Sequence, residues 1–331
     1  MGRYDVSSDP RPPLPEADVP ADPHQFTYSI VVPVFNSVAV VGTTIDRITE
    51  VFEGAGLRYQ LILVNDGSRD GSWDVIASRA RSSPHLVALN LLRNYGQHHA
   101  NLAGLREATG DYVITMDDDL QNPPDQALIL IAEAMKGRDV VFGRFEQKQA
   151  PGYRRIGSKL IGLLNRRVFE QPPGLTVSNF RILRRDVVDR VCESRTANPY
   201  ITGQALMYSN NVSDVPVQHD ARPVGKSNYG LRRILTLVFA ILFSYSLFPL
   251  RAAAVAGFVV ALGSFVLGAF YLVRSLFVET DVAGWTTIAV LLAFFNGVVI
   301  TLLSMLGEYV VRTLNAVSEL STYHVTERVS S

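Results

Sequence analysis

Between residues 26 and 143, short apolar runs alternate with longer stretches patterned for helices, and this alternation leaves few folds open. Residues 28–34, 59–65, 86–91, 112–116 and 139–143 are rich in β-branched and aliphatic side chains, as buried parallel strands are. Between the first two, Val40, Val41, Ile45, Ile48 and Phe52 recur at helical spacing. Ser37 is placed to cap that helix, and Gly54 and Gly56 to end it. Asp70 is placed to cap a second helix through Trp73 and Ile76. A third is predicted over about 97–108, closed by Gly110, and a fourth from Pro123 and Pro124 to about Lys136. The pattern predicts an α/β fold with a mostly parallel sheet, covered on both faces and joined by right-handed crossovers. Ligands of such sheets bind beyond the carboxyl ends of the strands. Asp66, Asp117, Asp118 and Asp119 all fall at those ends.

The fourth apolar run stops abruptly in three carboxylates, followed by Leu120, Gln121, Asn122, Pro123 and Pro124. Adjacent carboxylates repel unless a cation or solvent neutralises them. The simplest chemistry for them is a seat for a divalent metal and a phosphorylated ligand; a solvated acidic turn is the plain alternative. Gln121 can add a neutral oxygen, a ligand set that suits Mg²⁺ or Mn²⁺. Other nucleotide motifs fail. No G-x-G-x-x-G follows a strand, and Gly225-Lys226-Ser227 lacks the earlier glycine of a P-loop because position 220 is Asp.

A chain of 331 residues with net charge +0 gives no electrostatic reason to bind nucleic acid. Its lone Cys192 rules out an intrachain disulfide. No N-terminal signal peptide is visible. Residues 1–25 are rich in proline and read as a disordered tail. Residues 144–230 are more basic. Arg144, Lys148, Arg154, Arg155, Lys159, Arg166, Arg167, Arg181, Arg184 and Arg185 crowd the first part, most of them expected as solvated charges and a few as phosphate ligands.

The hydrophobic fraction of 47% has its source further on. Residues 252–273 and 285–307 form uncharged runs of 22 and 23 residues. Each is long enough to cross ~30 Å of hydrocarbon. The short link between them predicts a transmembrane hairpin over 251–311. Arg232, Arg233, Arg251 and Arg312 flank the pair, which sets the large domain and both termini in the cytosol. Residues 234–250 could be a third span; an interfacial helix is preferred, because an odd number of spans would put the C-terminus outside.

The ordered motifs Val32-Pro33-Val34-Phe35-Asn36, Val64-Asn65-Asp66-Gly67-Ser68-Arg69-Asp70 and Asp117 through Pro124 resemble those of inverting GT-A glycosyltransferases. The nearest resemblance is to the polyisoprenyl-phosphate glycosyltransferases: dolichol-phosphate mannose synthases and bacterial GtrB- and ArnC-type enzymes. Leu92 through His98, Arg222 through Tyr229, and Leu306-Gly307-Glu308-Tyr309 strengthen it over about residues 28–320. The resemblance implies a GT-A domain over 26–230, a juxtamembrane helix over 231–250, the hairpin, and a cytosolic segment over 312–331. It implies a nucleotide-sugar donor, UDP rather than GDP, and a polyprenyl phosphate acceptor, undecaprenyl rather than dolichol, at a bacterial plasma membrane. A homotetramer is also implied.

Roles follow by the same resemblance. Pro33 and Asn36 would line the nucleotide pocket, and Asp66 would contact base or ribose. Asp117 would lie beside ribose and metal, with Asp119 and Gln121 as metal ligands. Arg144, Arg155 and Ser158 would hold the acceptor phosphate, and Arg222, Lys226 and Ser227 would close over the donor phosphates. Two positions depart from the family pattern: Asp118 stands where a small residue is usual, and Ser37 where Glu often stands. A polymer synthase is disfavoured, since neither Trp73 nor Trp285 follows Arg as Q-x-x-R-W requires. The sugar itself is not legible: glucose (as UDP-glucose), another hexose or, in an ArnC-like transfer, an aminoarabinose derivative all stay open, and a non-catalytic membrane scaffold with the same fold is the alternative from a different class.

Overall fold

The computed structural model describes residues 20–145, most of 162–218, 323–331, and scattered helical positions between 245 and 313. The chain divides into two compact units, one of residues 1–234 with 321–331 and one of residues 235–320.

The first unit is built on an eight-stranded sheet of order β7-β5-β6-β4-β1-β2-β3-β8. Strands β1 (Thr27–Val34), β2 (Arg58–Asn65) and β3 (Leu86–Leu91) pair in parallel, and β4 (Tyr112–Thr115) pairs in parallel on the other side of β1. The chain therefore reverses its direction of travel across the sheet at β1, and the crevice between the ends of β1 and β4 is the topological switch point. Helices α1 (Val41–Gly54), α2 (Ser72–Arg81), α3 (Gln97–Glu107) and α4 (Gln126–Ala134) follow strands β1 to β4 in turn. Ile30, Val32, Leu61, Leu63 and Ile114 lie in one core cluster with Ile45, Ile48 and Phe52 of α1. The apolar, β-branched runs are strands because both their faces are covered.

The predicted ends of the helices need correction. Ser37 offers α1 its backbone carbonyl, which accepts from the N–H groups of Val40 and Val41, and its hydroxyl does not cap the helix. Gly110 is not a left-handed stop for α3. A Cβ there would sit 2.7 Å from the Ser29 nitrogen and the Thr27 carbonyl oxygen, so the residue is glycine because the chain runs tight against β1. Pro123 and Pro124 form a turn ahead of α4, their carbonyls accepting from Gln126 and Ala127.

Strand β5 (Val140–Phe145) does not join β4 directly. An antiparallel strand, β6 (Arg181–Arg184), lies between them, and β7 (Val212–Val217) adds in parallel outside β5. Helices α5 (Arg185–Glu193) and α6 (Ile201–Tyr208) follow β6. At the opposite edge β8 (Val325–Ser330) pairs antiparallel with β3, so the last residues of the expected C-terminal segment are part of the sheet. The end of the proline-rich segment is also packed on the domain. Pro23–Gln25 form a 3₁₀ turn whose Asp22 carboxylate accepts from the His24 N–H at 3.0 Å, and the Ala21 N–H reaches the Met135 carbonyl at 2.9 Å.

Among the described residues no helix is long and apolar enough to cross a membrane. Most of the two uncharged runs lies outside them. The positions described there are helical, and Ile288, Leu292, Val299, Leu303, Leu306 and Val310 recur three, four or seven residues apart as exposed large apolar side chains.

Candidate active site

The carboxyl ends of β1 to β4 converge on one edge of the sheet. Asn36 leaves β1 with φ 52°, the left-handed conformation that Asn tolerates better than most residues. Its side-chain oxygen accepts the Arg69 N–H at 3.0 Å, and its own N–H donates to the Ser68 hydroxyl at 2.9 Å. Asp70 ties the same two loops, accepting from Val38 N–H at 3.0 Å and from the Ser72 N–H and hydroxyl. Gly71, with φ 87°, occupies the cap position of α2 that had been expected for Asp70. Burial pushes the Asp70 carboxyl up, but the bonds from Ser72 and Val38 outweigh it and hold the group below the usual range. Gly67 is compelled both by φ 66° and by space, since a Cβ would lie 2.5 Å from the backbone of Arg93 and Asn94.

These loops rim a cavity of about 680 Å³, within the range of small-molecule sites. Phe35, Asn36, Ser68, Arg69, Trp73 and Arg93 line it, along with residues of the β2 and β3 ends. The Arg93 guanidinium lies over the Tyr95 ring, 5.0 Å from its centroid. Of the residues expected at the nucleotide, Asn36 lines this cavity; Pro33, Asp66 and Asp117 are not part of its lining.

Asp66 is only 3% exposed, and both its carboxylate oxygens accept backbone N–H groups, from Tyr95 at 2.7 Å and Gly96 at 2.9 Å. It anchors the turn that starts α3, where a negative charge also complements the helix dipole. Asp66→Ala is expected to destabilise the domain by about 2–4 kcal/mol, the loss of two charge-assisted bonds in a buried place. Asp66→Asn should recover part of that in a denaturant titration.

Asp117, Asp118 and Asp119 are half-buried beyond β4, and each has different partners. The Gln97 amide, on the first residue of α3, donates to Asp117. Asp119 accepts the backbone N–H of Gln121 at 3.1 Å, in a loop where Leu120 takes φ 56°. Such a conformation in a non-glycine residue stores strain that the surroundings must hold. Asp118 meets the elements after β1: its carboxyl accepts from Ser37 and the Phe35 backbone in the β1–α1 connection, and its backbone meets Thr44 of α1. Its carbonyl accepts the Thr44 hydroxyl at 2.9 Å, and its Oδ2 is buried with no partner. Burial first, then the Asp119 charge, pushes the Asp118 carboxyl up to about 6, against hydrogen bonds from Ser37 and Phe35. A folded pKa above the unfolded one means that the folded state binds the proton better, so stability falls as pH rises through about 6. Asp118→Asn should therefore stabilise the metal-free protein at about pH 8, by at most about 3 kcal/mol, and change little below about pH 4.

No group of three His, Cys, Asp or Glu side chains forms a ready-made metal cage among the described residues. The donor set at Asp117 and Asp119 still fits a hard divalent ion, which commonly takes one or two carboxylates and completes its shell with phosphate and water.

Of the basic residues expected as solvated charges, Arg166 and Arg167 are exposed, whereas Arg181, Arg184 and Arg185 are drawn into the fold. Arg181 is fully buried on β6, opposite Thr115. Its Nη1 donates to the Thr202 hydroxyl at 2.6 Å, while Nε and Nη2 have no hydrogen-bond partner. Burial pushes its pKa down to about 10, opposed by the charges of Tyr200 and Asp117. Arg184 pairs with Asp139 at 2.6 Å and Asp186 at 3.0 Å, and Arg185 donates to the Gly110 carbonyl. Arg144, half-exposed near the end of β5, pairs with Asp214 at 3.5 Å. Arg155, Ser158, Arg222, Lys226 and Ser227 lie outside the described residues. Sequence reasoning missed Gln97 as the partner of Asp117 and Arg181 as a buried cation; Gln97 at least sits inside the Leu92–His98 motif.

The family model described as glycosyl transferase family 2 matches residues 29–192. A solved structure of glucosyl-3-phosphoglycerate synthase from Mycobacterium tuberculosis, in complex with Mn²⁺, UDP and phosphoglyceric acid, shares the fold. Its TM-score is 0.50 at 18% identity, covering 66% of this chain and 77% of that one. A second structure of that enzyme, with UDP-glucose, gives the same TM-score and identity. The undecaprenyl-phosphate 4-deoxy-4-formamido-L-arabinose transferase of Shewanella sediminis is 34% identical over 304 residues, spanning 90% of this chain and 91% of the relative. With the GT-A-like sheet and the acidic end of β4, that likeness shows that the chain belongs to glycosyl transferase family 2, in its polyisoprenyl-phosphate glycosyltransferase branch.

Proposed function

We propose that this protein transfers a sugar from a UDP-sugar to undecaprenyl phosphate with inversion, making a lipid-linked sugar for cell-envelope glycosylation. The observation that carries the reading is a meeting of parts at one sheet edge: Asp117 and Asp119 beyond β4, beside a cavity formed by the ends of β1 to β3. The cavity offers aromatic surface at Phe35 and Trp73 and guanidinium groups at Arg69 and Arg93, a chemistry that suits a nucleotide.

Asp119, Gln121 and Asp117 would hold a divalent cation, Mg²⁺ or Mn²⁺. When bound, that cation stabilises charge on the departing diphosphate. Gln97, which donates to the Asp117 carboxylate, would hold it in place for the cation. Arg144, with Arg155 and Ser158, holds the acceptor phosphate, and Arg222, Lys226 and Ser227 close over the donor. A phosphate monoester is already largely dianionic near neutral pH, its second pKa being about 6. Its oxygen attacks the anomeric carbon directly. The new bond joins that oxygen to the anomeric carbon, the bond from that carbon to the diphosphate oxygen breaks, and the nucleoside diphosphate leaves with the electron pair. No general base is needed.

The acceptor lies in a bilayer, and the exposed apolar stripe from Ile288 to Val310 supports a lipid-facing helix. The return of β8 to the sheet supports a hairpin, and the arginines that flank it, Arg232, Arg233, Arg251 and Arg312, support a cytosolic catalytic unit at a plasma membrane. A chain that leaves a domain and rejoins it crosses the bilayer an even number of times, which weighs against residues 234–250 as a third span.

The second reading concerns the donor alone. The 34% identical relative favours a formamido- or amino-arabinose nucleotide over UDP-glucose. Purified full-length protein with undecaprenyl phosphate and a donor panel, read by mass of the lipid product, decides between them. Turnover of none of the donors, with nucleotide binding intact, would instead support a non-catalytic scaffold.

A further inference from the structure

The C-terminal strand reaches the cavity. In the β3–β8 ladder Asn90 faces Glu327 and Leu91 faces Val325, so the register shifts and Thr326 is left without a partner across the ladder. A residue skipped in this way is free to re-aim its side chain. The Thr326 hydroxyl donates to the Asn90 carbonyl at 3.0 Å, and the residue lines the cavity beside Asn90, Leu91 and Leu92. One residue before the strand, the His324 carbonyl accepts the Leu92 N–H at 3.0 Å, next to Arg93 of the cavity wall.

The strand is firmly held. Val329 is buried on the sheet, and Arg328 makes two bonds to Glu107 of α3, at 2.9 and 2.7 Å. Tyr323 is buried, lies under the Arg106 guanidinium at 5.4 Å, and accepts its hydrogen bond at 3.2 Å. A solvated tail would need none of these contacts. Their effect is to fix the register of β8, and with it the place of Thr326.

We infer that the C-terminal strand is a structural wall of the donor site, with Thr326 as a positioning residue that shapes the nucleotide end of the cavity. The inference rests on the reading of that cavity as the donor pocket. The segment that follows the uncharged runs thereby completes the pocket that the N-terminal half begins. Loss of the tail would then weaken the donor even with Asp117 and Asp119 intact.

The test uses full-length protein and three variants. Thr326→Phe places bulk in the cavity without altering the backbone ladder. Ser330→Phe adds the same bulk at the far end of the strand and serves as the control. Val329→Asp unseats the strand by burying a charge. The readouts are UDP binding by calorimetry in the presence of Mn²⁺, and KM for the donor and for the lipid acceptor separately. Thr326→Phe should raise the UDP Kd and the donor KM by about tenfold, leaving the acceptor KM and kcat near the parent values. Ser330→Phe should match the parent. Val329→Asp should reproduce the donor defect at a temperature where circular dichroism shows the fold retained. If Thr326→Phe binds UDP like the parent while the parent turns over, the inference is overturned and the donor reading stands. If the parent itself binds no UDP, the donor reading fails with it.

Discussion

Asp119→Ala is expected to lower turnover by at least about a hundredfold at saturating Mn²⁺, the scale on which an electrostatic contact to developing charge matters. The fold should survive, because the bond that the Asp119 carboxylate accepts from the Gln121 N–H is worth about 1 kcal/mol to stability. Asp118→Asn provides the contrast. Its carboxylate is turned to the β1–α1 connection, so turnover should stay within about threefold of the parent while stability rises. Normal turnover by Asp119→Ala under saturating metal would sink the metal assignment. Equal losses in both variants would instead show that the three carboxylates act as one acidic patch.

Exchange of residues 235–320 for a Gly/Ser linker of about 20 residues should lower transfer to undecaprenyl phosphate by about a hundredfold or more, by removing the segment that concentrates enzyme and lipid together. UDP binding should persist, since the sheet and both its edges are retained. A water-soluble short-chain prenyl phosphate should remain a substrate. Simple truncation after residue 230 would be a poorer experiment. It would also delete β8 and Thr326, so a donor defect and an acceptor defect would arrive together. Normal transfer to the long lipid by the exchanged protein would contradict the membrane role of residues 235–320.

The core of the fold was legible because its signals are local. Both faces of β1 to β4 are covered, which makes each an apolar run, and α1 carries one apolar stripe at Val41, Ile45, Ile48 and Phe52. The acidic end of β4 was legible for a related reason: three adjacent carboxylates directly after an apolar run are a local signal. Strands β6, β7 and β8 were not legible. Arg181-Ile182-Leu183-Arg184 is short and bracketed by arginines, residues 212–217 contain Asp214 and Pro216, and β8 presents Thr326, Glu327 and Arg328 to solvent. Two of these are edge strands, covered on one side only, so their sequences carry no continuous apolar run.

By itself the sequence determined the alternating layers, the acidic strand end at Asp117, Asp118 and Asp119, and two uncharged runs long enough for a bilayer, since each depends on neighbours along the chain. The tertiary structure alone decided what those residues face. It sends Asp66 to the start of α3, gives Asp117 the amide of Gln97, sets the Asp118 carboxyl against Ser37 and Phe35 while still within reach of the Asp119 charge, and buries Arg181 opposite Thr115. It also carries the chain end back across more than two hundred residues to close the wall of a cavity. Those outcomes depend on partners distant in the chain, and local spacing holds no record of them.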